Sequence, residues 1–511
     1  IKKKMKEQMK YLEIIQKYEN RTNNSWKEEE KEIIQLDNSY GTDINVFGEN
    51  GLFKYLDFTF SLNGKKKLLS KLRLNDYQEE EILENQKAIQ ELTLKVPFLL
   101  EFQKRMSEIA HIKEIDYQNH LIDLNKKTNC KDINLYISLL FSFLTIGTFV
   151  LSMLTIIKPY IFVGLLFFQI IVSYLYMHIY KTEFQSISEN CRKFQNLKNV
   201  FELFEKEKFK AKKNQQIKED ILKGKEVLKK LIGITNLDTL RLNFLTYLFF
   251  NIFGSLNFIL LYQYTHLLKE NFDAFKKSIL SLEEFETLIS FTTIGLVKKE
   301  ICIPKIIKEV KMDFSSLKHP LLQEETCQAN DFQTEKDIII ITGSNMSGKT
   351  TFMKTIAVNL LLAYNGSYVN AKEFKAPIGK LFTSINVQDD ITNGISTFYA
   401  ELKKIKEILN YSELTKNLMI IFIDEIFKGT NYNDRILGAT EIVKRFSKLN
   451  CIVLLTTHDF ELCQLDNKEI KNYHFAENYQ NGKILFDYKI KKGQCKTTNA
   501  KYLMKELGII D

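Results

Sequence analysis

Eight consecutive residues constrain this chain more than any others. Gly343-Ser344-Asn345-Met346-Ser347-Gly348-Lys349-Thr350 fit the pattern G-x-x-x-x-G-K-[ST]. Residues 337–342 before them form a short β-branched run without alternation, as expected of a strand buried on both faces. After them, Phe352 to Leu362 carry apolar residues at helical spacing. A loop between such a strand and such a helix presents unpaired N–H groups and the positive end of a helix dipole to an anion. In this pattern the glycines let the backbone close on phosphate and Lys349 reaches the β and γ oxygens. Thr350 supplies a hydroxyl to Mg²⁺. With Thr351, these residues are the candidate nucleotide-binding set, and ATP with Mg²⁺ is the expected ligand.

A second hydrophobic strand, Leu418 to Ile423, ends in Asp424-Glu425. Downstream of a phosphate loop, the first carboxylate would hold Mg²⁺ and the second would polarise the attacking water. Residues 452–457 read as another buried strand and lead to His458, placed to sense the γ-phosphate. From about Ser315 onward strands and helices alternate, which indicates a parallel sheet with helices on its faces. Glu425, Lys349 and His458 are the candidate catalytic residues; Thr350 and Asp424 are the candidate metal ligands.

Residues 135–157 and 160–180 each lack Asp, Glu, Lys and Arg and are long enough to cross a bilayer, with only Lys158-Pro159 between them. Tyr136, Tyr160, Tyr176 and Tyr180 sit near their ends. Lys126, Lys127 and Lys131 precede the pair, and Lys181, Arg192 and Lys193 follow it. These flanks predict a transmembrane hairpin with both ends in the cytoplasm, hence a multi-pass protein of the cell membrane with a cytoplasmic ATPase domain. Residues 242–268 are also apolar but contain Asn243, Asn251, Asn257 and Gln263, which are costly in lipid. A third crossing would also carry residues 269–511 away from ATP. This stretch is therefore expected to be a buried core helix.

The remaining segments read as helical. Met5, Met9, Leu12 and Ile15 open the chain, Phe184, Phe194, Phe201 and Phe204 form a packing face, and Leu282 to Thr292 another. The 72 basic against 63 acidic residues give a net charge of +9, compatible with nucleic acid or an anionic membrane surface but also with a Lys-rich composition alone. Seven cysteines without a C-x-x-C pair are expected to be reduced intracellular thiols, not a disulfide frame or zinc site.

The stretch Thr342 to Phe352, with its Asn-Met pair, resembles the phosphate loop of the MutS DNA mismatch-repair ATPases. Gly366-Ser367-Tyr368-Val369, Lys380-Leu381-Phe382-Thr383, Asp424-Glu425-Ile426 with Gly429-Thr430, and Thr457-His458 with Glu461-Leu462 are similar to that family's later motifs. His319-Pro320-Leu321-Leu322 is similar to its lead-in. Asp389-Asp390, Gly394-Ile395-Ser396-Thr397-Phe398 and Glu401 resemble the segment that reaches the neighbouring subunit's nucleotide. The resemblance implies ATP hydrolysis in a homodimer, with Ser396 and Thr397 completing the partner's site in trans, and DNA as a partner. It is dense over about 315–511 and weaker over 51–110. Phe427-Lys428 stands where Gly-Arg is expected, and Ile395 where Arg is expected. No mismatch-reading domain and no Phe-x-Glu wedge stand where the family has them, and a hairpin occupies the place of its lever arms. The chain thus looks like a membrane-anchored branch of that family.

The expected fold class is α/β: a P-loop NTPase domain of MutS/ABC-like type joined to a mostly helical core domain that carries the transmembrane hairpin. The domain boundaries read 1–130 and 183–312 for the helical core, 131–182 for the hairpin and 313–511 for the ATPase. Two functions remain open: an ATP-dependent DNA-binding protein of the mismatch-repair type tethered to the membrane, or a membrane-tethered ATPase switch acting on a protein or lipid partner. An ABC transporter is disfavoured, because no Leu-Ser-Gly-Gly-Gln signature exists.

Overall fold

The computed structural model describes residues 2–28, 39–73, 76–110, 132–238, 240, 243–385, 397–465, 468–480 and 483–495. Two compact units emerge. One comprises Ile1–Tyr11, Thr59–Lys67 and Val96–Thr287; the other comprises Leu12–Phe58, Leu68–Lys95 and Leu288–Asp511.

The first unit is helical among its described residues. Its core is aromatic: Phe98, Phe102, Phe204, Phe209 and Phe285 pack largely edge to face, as ring quadrupoles favour. Phe184, Phe194, Phe201 and Phe204 are all buried, so the packing face expected from helical spacing forms. Glu286 is buried and accepts hydrogen bonds from the N–H groups of Phe60 and Ser61 and from the Ser61 hydroxyl. It thereby satisfies orphan donors at the start of helix Leu62–Arg73. Desolvation pushes its carboxyl up to about 7 against these bonds.

Two helices of this unit, Ile133–Met153 and Pro159–Ile179, are long and apolar enough to cross a membrane. Pro159 occupies the first turn of the second, where its missing N–H costs no helical bond. The apolar stretch that follows departs from expectation. It is not one buried helix but two, Phe244–Gly254 and Leu256–Val297, bent by 79° at Ser255. The asparagines explain why. Asn251 Oδ1 accepts from the Ser173 hydroxyl and from the Asn257 N–H, and Asn257 donates to Ser173 Oγ at 3.0 Å. Except for Asn257 Oδ1, which is buried without a hydrogen-bond partner, these groups are paired inside the protein, so they do not exclude apolar surroundings for the rest of the helix.

The second unit holds the sheets. Strands β1 (Lys305–Ile306), β2 (Met312–Leu317), β3 (Asn330–Thr334) and β5 (Glu373–Ala376) form a four-stranded sheet in the order β1-β5-β2-β3, which the strand–helix alternation did not anticipate. The larger sheet contains β4 (Ile338–Thr342), β6 (Lys380–Ser384), β7 (Met419–Asp424), β8 (Cys451–Thr456), β9 (Ile470–Gln480) and β10 (Lys483–Lys492), in the order β10-β9-β4-β8-β7-β6. From β9 to β6 every pairing is parallel. The β10–β9 pair is antiparallel, so the sheet is mixed at that edge. Residues 338–342 of β4 are all buried, as a strand covered on both faces must be. Helix Lys349–Tyr364 follows β4 directly, and its core side chains from Phe352 to Tyr364 are buried. The C-terminal ends of β4, β7 and β8 therefore meet at one edge, where ligands of open α/β sheets bind.

Candidate nucleotide site

The loop from Gly343 to Gly348 turns through backbone conformations that its glycines permit. Gly348 has φ +104°, and a Cβ there would lie 3.1 Å from Tyr488 Cδ1, so glycine is needed twice over. Met346, at φ +67°, stands exposed at the loop's apex. Lys349 opens the helix and folds back over the loop, donating to the carbonyls of Gly343 and Ser344 at 2.9 Å each. Burial lowers its ammonium below the ordinary lysine value, against the pull of Glu425 and Asp424. The Ser344 and Ser347 hydroxyls are buried and have no protein hydrogen-bond partner. Two orphaned donors inside a phosphate-type loop are what an anion there would satisfy.

Parallel pairing of β4, β8 and β7 sets the other side of the site. Thr350 Oγ1 donates to Asp424 at 3.0 and 3.1 Å, and the Thr456 hydroxyl donates to the same carboxylate. A hydroxyl and a carboxylate already in contact form an oxygen donor pair suited to Mg²⁺, which takes few protein ligands and completes its shell with phosphate and water. The residues present therefore fit the metal.

Glu425 follows at φ +55°, outside the conformations favoured by a non-glycine residue. Its Oε1 lies 3.2 Å from His458 Nε2, and its Oε2 lies 3.4 Å from Lys428 Nζ. The hydrogen bond to His458, reinforced by Lys428, holds this carboxyl at about 2 despite partial burial. His458 Nε2 also sits 2.9 Å from Asn345 Oδ1. The segment after His458 is anchored by Asp459, which accepts two bonds from Arg435 at 2.8 and 2.9 Å.

Of the residues singled out from sequence, Gly343 through Thr351, Asp424, Glu425 and His458 thus converge on one edge of the sheet. A cavity of about 540 Å³ opens over the loop, large enough for a nucleotide. Its wall includes His319, Leu322, Cys327, Phe475 and Tyr488, side chains suited to a flat base. Burial lowers the His319 imidazole to about 3, so this ring is neutral. Thr397 begins helix Thr397–Leu414 and is half-buried; Ser396 lies outside the described residues.

The sequence marked Lys428 only as a departure from the family pattern, Glu401 only as part of the segment reaching the neighbouring subunit, and Asp43 not at all. Lys428 pairs with Glu425 across one turn of chain, a contact that the expected Gly-Arg had obscured. Glu401 is buried and accepts from the Phe427 N–H, fixing the bend after Glu425. Asp43 accepts from Thr383 Oγ1, the Ile385 N–H and Lys404 Nζ at the exit of β6. No local pattern marks Asp43, because all three partners lie far away in the chain.

Residues 339–505 match the family model described as MutS domain V. The chain is 32% identical over 250 residues to the DNA mismatch repair protein MutS of Leptospira interrogans (strain 56601), covering 46% of this chain and 29% of that protein. It is 34% identical over 232 residues to the protein of that name from Clostridioides difficile (strain 630), covering 43% and 24%. A third, from Thermus thermophilus, is 32% identical over 178 residues, covering 34% and 22%. The alignments thus span less than a third of each relative. Phosphate loop, paired carboxylates and strand-end histidine share one sheet edge, and the matched segment contains them all: residues 339–505 are a MutS domain V, a P-loop ATPase domain.

Proposed function

We propose that this protein hydrolyses ATP to ADP and phosphate and uses the cycle to open and close a homodimer on DNA, as a mismatch-repair-type ATPase tethered to the cell membrane. The observation that carries the ATPase reading is the convergence of Lys349, Thr350, Asp424 and Glu425 around a loop with two unpaired buried hydroxyls. Thr350 and Asp424 would hold Mg²⁺, which when bound neutralises charge on the β and γ oxygens. Lys349 stabilises charge on the transferring phosphoryl group. Glu425 orients the attacking water and takes its proton, which requires that the carboxylate leave His458 and Lys428 first. His458, bridging Asn345 of the phosphate loop and Glu425, is placed to couple occupation of the loop to that release. Ser396 and Thr397 complete the partner's site in trans.

The apolar hairpin favours a second reading, a membrane-tethered switch that acts on a protein or lipid partner without mismatch recognition. ATP turnover of the full chain in vesicles, with and without duplex DNA, separates the two. Stimulation that declines with rising salt supports a DNA partner. Turnover indifferent to DNA at low salt overturns that reading and leaves the switch.

A further inference from the structure

We propose that helix Phe244–Gly254 is a third membrane-embedded element, a wedge that enters the bilayer beside the hairpin and returns to the same side. The proposal rests on the membrane reading of the hairpin and adds to it an element that composition had assigned to a buried core helix.

The helix packs against both hairpin helices, Asp132–Met153 and Pro159–Ile179. Its outer face is apolar and uncovered: Phe244 is 71%, Leu245 74% and Phe249 58% exposed. The hairpin helices expose the same kind of surface alongside it, with Phe143, Phe167 and Ile171 outward. An element packed on the flank of a membrane hairpin lies at the hairpin's depth, so acyl chains are the occupant that matches both surfaces.

Length and backbone chemistry distinguish a wedge from a span. Eleven residues of helix rise about 16 Å, roughly half of a hydrocarbon core of about 30 Å. The chain then turns by 79° at Ser255, whose φ is +51°. Such a break exposes backbone groups that lipid cannot satisfy, so it must be sealed by protein. It is sealed. The Ser255 N–H bonds to the Phe250 carbonyl, and its hydroxyl reaches the Ser138 carbonyl at 2.9 Å. The hydroxyls of Ser138 and Ser142 and the amide of Gln169 close around Ser255. Ser173 and Asn251 take up the backbone and side-chain nitrogens of Asn257, and only its Oδ1 is left without a hydrogen-bond partner. Ser138, Ser142, Gln169 and Ser173, drawn from both hairpin helices, thus converge on the break, which accounts for their presence in otherwise apolar segments.

The test uses the full chain in vesicles of phosphatidylethanolamine and phosphatidylglycerol. A photoreactive benzoylphenylalanine replaces Phe249, Phe167 or, as a control on the ATPase unit, Leu414. Lipid adducts at Phe249 and Phe167 but not Leu414 are expected. Adducts at Phe167 alone overturn the wedge and leave the hairpin reading intact. Adducts at neither position overturn the hairpin reading and the wedge with it. Chain-to-chain adducts at Phe249 in place of lipid adducts overturn the wedge in favour of a contact between copies. Sidedness is read separately, with an impermeant maleimide on Lys158→Cys and Lys269→Cys against a wild-type baseline. Labelling from opposite faces is expected; labelling from the same face means that the chain crosses and overturns the return.

Discussion

The imidazole of His458 lies 3.2 Å from the carboxylate of Glu425, two residues at the ends of adjacent parallel strands. The contact joins the group that would activate water to the group that touches the phosphate loop through Asn345. It also holds the Glu425 carboxyl at about 2, which keeps it ionised but makes it a feeble base while paired. In the proposed mechanism the carboxylate leaves this contact before it activates water, and nucleotide binding is the event placed to release it.

Glu425→Gln is expected to bind ATP and Mg²⁺ with little change and to slow hydrolysis by about 10²–10⁴-fold, because an amide cannot accept the proton. Lys349→Ala is expected to weaken binding and hydrolysis together. Single-turnover hydrolysis with prebound nucleotide separates the two effects. Wild-type rates in the Glu425→Gln protein would remove Glu425 from the water-activating role.

Glu286 supplies a pH dependence. Below the ordinary carboxylate range the folded and unfolded chains both keep its proton. Between that range and about 7 only the unfolded chain releases it, so stability falls as pH rises and levels off above 7. The contribution is up to about 3 kcal/mol at full burial. Thermal unfolding from pH 5 to 8 should show a shallower decline in Glu286→Gln than in wild type; parallel slopes would contradict the assignment.

Phe427 adopts φ +61° at the position where the family resemblance expects glycine. Its buried ring packs edge to face with Phe398 at 5.7 Å, and a Cβ at Gly438 would lie 2.9 Å from its Cε2. Gly438→Ala should therefore cost about 1–3 kcal/mol of stability by overpacking. Combining it with Phe427→Gly, which removes the ring, should restore most of that loss relative to Phe427→Gly alone. A double-mutant cycle by chemical denaturation measures this coupling.

The proposed composite site predicts complementation. Lys349→Ala and Ser396→Ala homodimers each carry two damaged sites, whereas a mixed dimer gathers both lesions into one. Random equal co-expression should recover about a quarter of wild-type turnover if sites act independently. No recovery, with mixing verified by two affinity tags, would indicate sites built within one chain or obligatory coupling.

The membrane reading predicts that full-length protein stays with membranes through high-salt and carbonate washes. Release by salt alone would leave only a surface association, since electrostatic contacts are screened and hydrophobic insertion is not.

The candidate nucleotide site was legible in sequence where its chemistry is local. Eight residues specify the phosphate loop because a strand, a glycine turn and a helix start are short-range events. Runs of branched residues likewise revealed β4, β7 and β8, since strands covered on both faces cannot alternate. What lies at the end of each strand then followed, but only as separate residues. Tertiary structure decided which of them touch: parallel register brings Asp424 beside Thr456 and leads on to the contact of Glu425 with His458. It also decided that Asp43 grips β6 and that β1 pairs with β5, contacts whose partners are too distant in the chain for any periodicity to signal. The apolar run around Ser255 is the sharpest case. Composition weighed its asparagines as a cost against lipid, because a sequence cannot show that Ser173 and the backbone answer all but one of the polar atoms of Asn251 and Asn257. A polar side chain's cost depends on whether it is paired, and pairing between distant segments is a property of the fold alone.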